Sequence, residues 1–299
     1  MKNDFEVIVD DDIVRVFNTR SGLQACINLK EGGRLSKWFC GDMLIIADPP
    51  ESIYEDSFAS AILFPFANRV ERGQYQVEGK SYQLTLNDRG QHALHGLVYN
   101  QKFDVISRQT DSNSAVVELV YSSEGSFEGF PFSYDLFLTY RFEQSKMRLE
   151  VSVVNTDLKS FPFSLGWHPY FYVPSRRRSK INMPIDRCVV MSQDLIPKTE
   201  IPTVEPFNEM LGSLPFDHCF RVSPSCATLK MTDYEVIVTS SRPKSYIQIY
   251  TPNHENFFAI EPMTSPGNSF NHKIGLQKLS PKETFHLHWE VEFNDFLKS

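Results

Sequence analysis

Apolar and polar residues alternate with a period of two along most of this chain. The alternation, or a run of β-branched and aromatic residues, occurs in FEVIVDDDIVRVFN (5–18), SAVVELVYSS (114–123), FSYDLFLTYRFE (132–143), MRLEVSVVN (147–155), YEVIVTSS (234–241), SYIQIYTP (245–252) and TFHLHWEVEF (284–293). This period places alternate side chains on one face of a strand, so the segments predict strands. Amphipathic helical windows are nearly absent, apart from a turn around FNEML (207–211). We predict an all-β fold, a sandwich or a barrel.

The domain organisation follows from what separates these strands. Short punctuating segments such as KEGG, DRGQ, SSEG and SPGN lie between them, and we find no internal repeat, low-complexity tract or Gly/Ser-rich linker. The Pro-rich stretch 184–215 is expected to form long loops that contribute to an active-site rim. The sequence therefore predicts a single domain over residues 1–299.

Charge and composition exclude several classes of protein. Lys plus Arg is 30 and Asp plus Glu is 37, a net charge of −7, which argues against a nucleic-acid-binding surface. No apolar run approaches the roughly 18 residues that a membrane helix needs, and the first twelve residues lack signal-peptide features. We expect a cytoplasmic protein without a membrane partner. Its five cysteines are scattered and include no C-x-x-C pair, so we expect neither disulfides nor a thiolate metal site.

Ionisable residues are concentrated among apolar or turn residues in five stretches: FPFANRVERG (64–73), HALHG (92–96), GWHPYF (166–171), LPFDHCF (214–220) and AIEPMTSPGNSFN (259–271). Glu261 follows the apolar run FFAI, where a buried strand ends, and such a position raises the pKa of a carboxyl group. His168 lies in an aromatic run and is either a core imidazole or an acid-base group. Pro169 ends regular pairing there, which suits a side chain that turns into a pocket.

Further candidates come from the other stretches. His95 is preferred over His92 because it precedes Gly96, whose missing side chain would let a ligand approach closely. Arg69, after Asn68, offers a planar set of donors for sugar hydroxyls or a carboxylate, although an ion pair with Glu71 or another acid is the alternative. Asp217 is either a hydroxyl acceptor or a turn-forming residue after Leu-Pro.

Two other motifs are weaker candidates. The H-x-H pair of His286 and His288 has a spacing that binds zinc on a strand, yet its face of the strand is most simply the solvated one. The RRRSK run (176–180) is suited to a phosphate, although a charge run in a Pro/Ser loop is usually solvated. G-x-S-x-G, P-loop and dinucleotide motifs are missing from the sequence. We expect no metal and no cofactor.

Together these stretches resemble the aldose 1-epimerase (galactose mutarotase) family. The resemblance runs from GGRLSKW (32–38) to SPGNSFN (265–271) and includes, in order, an N-R after a Pro-containing strand, H-G, H-P-Y-F, D-x-x-F and E-P-x-T. It implies a large antiparallel β-sandwich of the galactose mutarotase type, with an open cleft that binds a monosaccharide. It also implies interconversion of the α and β anomers of a hexose without a cofactor.

The resemblance assigns roles residue by residue. Glu261 corresponds to the general base and His168 to the general acid, while His95, Arg69, Asp217 and Asn68 correspond to groups that hold the sugar. Anomer exchange removes a proton from the C1 hydroxyl and delivers one to the ring oxygen, so an acid and a base with pKa values near neutrality must act together. We expect Glu261 and His168 to face each other across a sugar-sized cleft, with Trp167, Tyr170 and Phe171 available for stacking.

Two alternatives remain open at the level of the sequence. One is the same reaction on a hexose 6-phosphate, which needs cationic side chains such as Arg176 to Arg178 around the phosphate. The other is a sugar-binding protein that has the cleft but no turnover. The sequence also leaves open whether the protein is a monomer or a homodimer.

Overall fold

The structure, a computed structural model, describes residues 4–50, 52–212 and 215–296. In chain order its strands are β1 (Phe5–Asp10), β2 (Ile13–Asn18), β3 (Leu23–Asn28), β4 (Arg34–Cys40), β5 (Met43–Ala47), β6 (Ile62–Leu63), β7 (Arg69–Val70), β8 (Gln74–Val77), β9 (Lys80–Gln83), β10 (Ala93–Leu94), β11 (Asp104–Thr110), β12 (Ala115–Glu124), β13 (Ser133–Glu143), β14 (Lys146–Asn155), β15 (Phe161–Phe163), β16 (Gly166–Trp167), β17 (Tyr170–Tyr172), β18 (Lys180–Met183), β19 (Ile185–Met191), β20 (Pro197–Pro202), β21 (Phe207–Met210), β22 (Asp217–Val222), β23 (Cys226–Lys230), β24 (Tyr234–Ser240), β25 (Ser245–Tyr250), β26 (Phe257–Met263), β27 (Gln277–Leu279) and β28 (Thr284–Asp295).

Helical structure in the described ranges is short. It consists of the α-helices α1 (Tyr54–Ser57) and α2 (Ser269–His272) and two 3₁₀ turns, Glu71–Gly73 and Arg176–Arg178. Within the same ranges, no helix is long and apolar enough to cross a membrane.

Two large antiparallel sheets contain most of the strands. Over the described residues, the first sheet has thirteen strands. Eleven follow the order β1-β2-β3-β4-β5-β17-β26-β25-β22-β19-β20, and in addition β16 pairs with β26 and β6 pairs with β16. The second has nine strands in the order β11-β12-β13-β14-β28-β24-β23-β18-β21. Short two-stranded sheets, β10-β7, β15-β27 and β8-β9, lie outside these two.

The hydrophobic core lies between the two large sheets. Trp167 of β16 stacks on Trp289 of β28 with ring centroids 6.2 Å apart. The Tyr140 hydroxyl of β13 donates to the Gly33 carbonyl, just before β4, at 2.8 Å. Strand β13 buries every second residue, as the alternation in FSYDLFLTYRFE predicts. The prediction of an all-β, antiparallel β-sandwich is confirmed.

Two local predictions are wrong. The FNEML segment forms strand β21 instead of a helical turn, because Phe207 to Met210 pair with the edge of β18. The stretch 184–215, expected as long loops, contains the hairpin β19-β20 at the edge of the first sheet. Prolines are tolerated in an edge strand because their missing N–H faces away from a partner. Residues 213 and 214 of this stretch lie outside the described ranges.

Candidate active site

A cleft of about 740 Å³ opens over the first sheet where β17, β26, β25 and β22 lie side by side. Strand residues form its floor, and Pro49 and the segments 52–58, 87–95 and 252–254 contribute to its walls. All six residues singled out in the sequence line this one cleft: Asn68, Arg69, His95, His168, Asp217 and Glu261. Of the described residues in 184–215, which were expected to form a rim, Leu195 lines the cleft.

Strand pairing brings His168 and Glu261 together from distant parts of the chain. Tyr170 of β17 pairs with Ala259 of β26, and this register places His168, just before β17, beside Glu261. His168 Nε2 lies 3.3 Å from Glu261 Oε1. The two residues are 4% and 2% exposed, so the pair lies at the bottom of the cleft.

Burial shifts the two groups in opposite directions. Removal from water disfavours the charged form of each, which raises the pKa of Glu261 well above its usual value and lowers the pKa of His168 to about 4. Burial therefore favours a state in which the two groups share one proton and neither is charged, with that proton on the Glu261 carboxyl group. The 3.3 Å contact lets that proton pass to His168, which leaves a carboxylate beside an imidazolium.

The expectation that these two groups face each other across the cleft is wrong. Because they are in direct contact, no sugar ring fits between them, and a ligand must approach both from the same side. The pKa of His168 also moves away from neutrality, contrary to the expectation, because burial penalises the imidazolium. Among the described residues, Glu261 Oε2 has no hydrogen-bond partner.

Aromatic rings fix the orientation of the His168 imidazole. It lies against Tyr170, with ring centroids 5.1 Å apart, and its edge meets His95 at 5.0 Å. Of the aromatics considered for stacking on a sugar, Tyr170 lines the cleft. Trp167 and Phe171 are completely buried in the core between the sheets.

His95 lines the cleft, but the reason given for choosing it is wrong. A Cβ on Gly96 would lie 2.4 Å from the Phe64 carbonyl oxygen, so the missing side chain serves packing against the Phe64 backbone. His95 itself has a φ of 59°, and its N–H donates to the Asn68 carbonyl at 3.0 Å. Burial lowers the pKa of His95 well below its usual value, so its ring is neutral and offers one donor and one acceptor.

Arg69 is held in place by an ion pair. Its Nε donates to Asp88 Oδ2 at 2.6 Å. The ion pair considered as an alternative from the sequence is therefore present, with Asp88 as the acid instead of Glu71. Its two Nη groups have no hydrogen-bond partner in the described part of the chain and remain available to a ligand. Asn68, which is 5% exposed, accepts from the Arg69 N–H at 2.8 Å.

Asp217 begins strand β22, so the turn-forming alternative does not hold. Its Oδ1 accepts a hydrogen bond from Gln248 Nε2 at 2.5 Å. Burial raises the pKa of Asp217, because the carboxylate loses water. Leu214, the first residue of the LPFDHCF motif, lies outside the described residues.

Gln248 is a site residue that the sequence analysis missed. It is 2% exposed, lies opposite Glu261 in the β25-β26 ladder and lines the cleft. The sequence signal that could have identified it is a glutamine within the mostly apolar and aromatic segment SYIQIY. In the structure, five consecutive residues of this segment, strand β25, are buried. A buried amide in such a strand needs partners, and a polar cavity supplies them.

The two weaker motifs lie elsewhere. Arg176, Arg177 and Arg178 are not part of the cleft lining. His286 bonds to Ser152 Oγ through Nδ1 at 2.8 Å on the outer side of β28. In the described ranges, no group of three or more His, Cys, Asp or Glu side chains is placed to hold a metal ion.

His92, which is 6% exposed, accepts a hydrogen bond from the Arg72 N–H.

Comparison with known proteins agrees with this geometry. The sequence profile of the family described as Aldose 1-epimerase matches residues 22–292. The uncharacterized protein YihR of Escherichia coli K12 is 23% identical over 266 residues, which cover 85% of this chain and 84% of YihR. The galactose mutarotase of Sus scrofa is 26% identical over 168 residues, covering 54% of this chain and 48% of that enzyme.

Solved structures with the same fold cover nearly the whole chain. A galactose mutarotase-like protein from Clostridium acetobutylicum superposes with a TM-score of 0.84 at 20% identity, covering 98% of this chain and 99% of the other. Galactose 1-epimerase from Lactobacillus acidophilus gives a TM-score of 0.80 at 18% identity, with 99% of each chain covered. The fold is therefore galactose mutarotase-like.

Proposed function

The chain belongs to the aldose 1-epimerase family, and from that premise we propose that it is a mutarotase that interconverts the α and β anomers of a hexose such as galactose or glucose. The observation that carries this proposal is the buried contact of His168 Nε2 with Glu261 Oε1, 3.3 Å apart at the bottom of the cleft. The reaction requires an acid and a base that reach the same anomeric centre.

The reaction is compatible with an acid and a base that lie close together. Ring opening removes the proton of the C1 hydroxyl while the ring oxygen receives one, and both oxygens are bonded to the same carbon, C1. Two groups placed side by side can therefore serve both oxygens. Glu261 and His168 meet this condition, since both are reached from one side of the sugar.

In the proposed cycle, the proton of the pair first lies on His168, and Glu261 is a carboxylate. Glu261 takes the proton of the C1 hydroxyl while His168 donates its proton to the ring oxygen, and the C–O ring bond breaks to give the open aldehyde. After rotation about the C1–C2 bond, the ring oxygen attacks the other face of the aldehyde. Glu261 then returns a proton to O1 and His168 recovers one, so the enzyme ends as it began.

The remaining cleft residues are suited to hold sugar hydroxyls. Arg69 offers its Nη donors, neutral His95 one donor and one acceptor, and Asn68 lies beside both. Asp217 and the Oε1 atom of Gln248 are acceptors, and Oε1 has no partner among the described residues. Such paired donors and acceptors fix the orientation of a polyhydroxylated ring.

The charge of the cleft favours an unphosphorylated sugar. The described lining carries five carboxyl groups (Glu55, Asp56, Asp88, Asp217 and Glu261) and two arginines (Arg69 and Arg89). Arg69 is already paired with Asp88. With the His168–Glu261 pair neutral overall, the four other carboxyl groups still outnumber the two arginines, so a phosphate dianion would meet net repulsion here. The Arg176 to Arg178 run does not line the cleft. We therefore propose a neutral aldose over a hexose 6-phosphate.

The test is a polarimetric assay with freshly dissolved α-D-glucose and α-D-galactose. We expect turnover by the wild type, and a loss in kcat of at least roughly 10²-fold in Glu261→Gln and in His168→Asn. Glu292→Gln, on the outer face of β28, is the matched control and should retain wild-type rates. Equal rates for the wild type and both cleft variants would remove the catalytic roles.

Two further outcomes decide between the alternatives. Sugar binding by calorimetry without any turnover by the wild type would identify a binding protein. Faster turnover of glucose 6-phosphate than of glucose would contradict the charge argument.

A further inference from the structure

Arg176, the first residue of the RRRSK run, makes its contacts with the turn that connects β25 to β26. Its Nη2 donates to the Pro252 carbonyl at 2.7 Å and to the Phe257 carbonyl at 2.8 Å, and it also donates to the His254 carbonyl. Its Nε donates to the Phe257 carbonyl at 3.1 Å. One guanidinium therefore binds three backbone carbonyls within six residues.

The turn that Arg176 binds is part of the cleft. Pro252, Asn253 and His254 line the cleft, whereas Arg176 does not. Within the described residues Arg176 makes no ion pair with a carboxylate, and its Nε and Nη2 donors bond to the turn. Asn256 fixes the other end, since its side chain donates to the Pro174 carbonyl at 3.0 Å and its carbonyl accepts from the Val173 N–H at 2.7 Å.

We propose that Arg176 is a positioning residue for the sugar site: it holds the 252–257 turn so that His254 forms the outer wall of the cleft. This inference rests on the proposed function for its kinetic readout. The planar fork of a guanidinium reaches several carbonyls at once, which a lysine ammonium on a single flexible stem cannot reproduce.

The position of the turn predicts which kinetic constant changes. Glu261 lies in β26, four residues beyond the turn. Every residue of β26 is buried, and the strand is paired with β25 on one side and β17 on the other. Loss of the clamp therefore moves the wall and leaves the acid-base pair in place. KM should rise while kcat stays close to the wild-type value.

The experiment compares Arg176→Met and Arg176→Lys with Arg178→Met, an exposed residue of the same run. We expect KM for the sugar to rise about tenfold in Arg176→Met with kcat within about twofold, and Arg176→Lys to lie between it and the wild type. Arg178→Met should match the wild type. An unchanged KM in Arg176→Met, or equal effects of Arg176→Met and Arg178→Met, would overturn the proposal.

A double-mutant cycle tests the route through the turn. If Arg176 acts by placing His254, then KM of Arg176→Met/His254→Ala should not exceed that of the worse single variant. Multiplying effects would show that the two residues act independently and would contradict the proposal.

A measurement without turnover separates this proposal from the proposed function. Hydrogen exchange of the Phe257 amide, which donates to the His254 carbonyl, should accelerate in Arg176→Met and Arg176→Lys but not in Arg178→Met. This readout needs only folded protein, so it holds even if the wild type turns over no sugar. Unchanged exchange at Phe257 in folded Arg176 variants would refute the clamp.

Discussion

Gln248 and Glu261 lie directly opposite each other on the antiparallel strands β25 and β26, so their side chains leave the same face of the sheet. Gln248 also donates to Asp217 on β22 at 2.5 Å. The Gln248 amide therefore connects Asp217, proposed to bind a sugar hydroxyl, with the strand position opposite the proposed base Glu261. Polar groups from three neighbouring strands meet in one row on the cleft floor.

Replacing Gln248 by leucine should weaken sugar binding. The change removes the donor that orients Asp217 and the buried Oε1 acceptor, while the His168–Glu261 contact is retained. We expect KM to rise about tenfold with a smaller change in kcat, measured by the same polarimetric assay. Gln109→Leu, at an exposed position of β11, is the control. An unaltered KM would mean that Gln248 has only a packing role.

The pH dependence of kcat/KM should reflect one shared proton. A second proton binds to the pair only as the pH falls through the lowered pKa of His168, about 4, and activity is then lost because no base remains. The raised pKa of Glu261 places the alkaline loss, where no acid remains, above the usual glutamate range. We expect an acid limb near pH 4, measured against the uncatalysed rate with circular dichroism as the folding control. A midpoint near 6.5 would contradict the burial of His168 in the free enzyme.

Gly96→Ala should destabilise the protein more than another glycine substitution at the same φ. Gly79 and Gly96 have φ values of 79° and 80°, but a Cβ on Gly79 meets nothing within 4 Å, whereas one on Gly96 meets the Phe64 backbone. In Gly79→Ala, the left-handed backbone conformation alone should lower the free energy of unfolding by about 1–2 kcal/mol. In Gly96→Ala, the clash with the Phe64 backbone should lower the free energy of unfolding by a further ~2 kcal/mol or more, as in an overpacked core, measured by urea unfolding. Equal losses would mean that the Phe64 backbone yields easily.

The sequence predicted the strands well where one face is buried, as in β13 and β28, because alternation reports burial directly. It did not predict the nature of the 184–215 stretch, since prolines in edge strands give the same local signal as loops. Secondary structure at such edges is set by a neighbouring strand, which local propensity does not encode.

The candidate site was predicted as a set of residues but not as a geometry. Asn68, His95 and Asp217 are recognisable from their motifs, yet the contact of His168 with Glu261 depends on the register of β17 against β26. Register is a tertiary property, so the two groups were expected apart and are found in contact. Gln248 was missed because its importance comes from the cavity above it.

The acid-base pair and the cleft walls are attached to the molecule in different ways. Glu261 belongs to a strand buried on both faces, whereas the walls at 52–58 and 252–254 consist of a short helix and turns at the surface. Wall segments can therefore be exchanged or lengthened at little cost to the packed interior. For the proposed mutarotase, grafting these two segments is a route to a different sugar preference, with the His168–Glu261 pair left on the unchanged sheet.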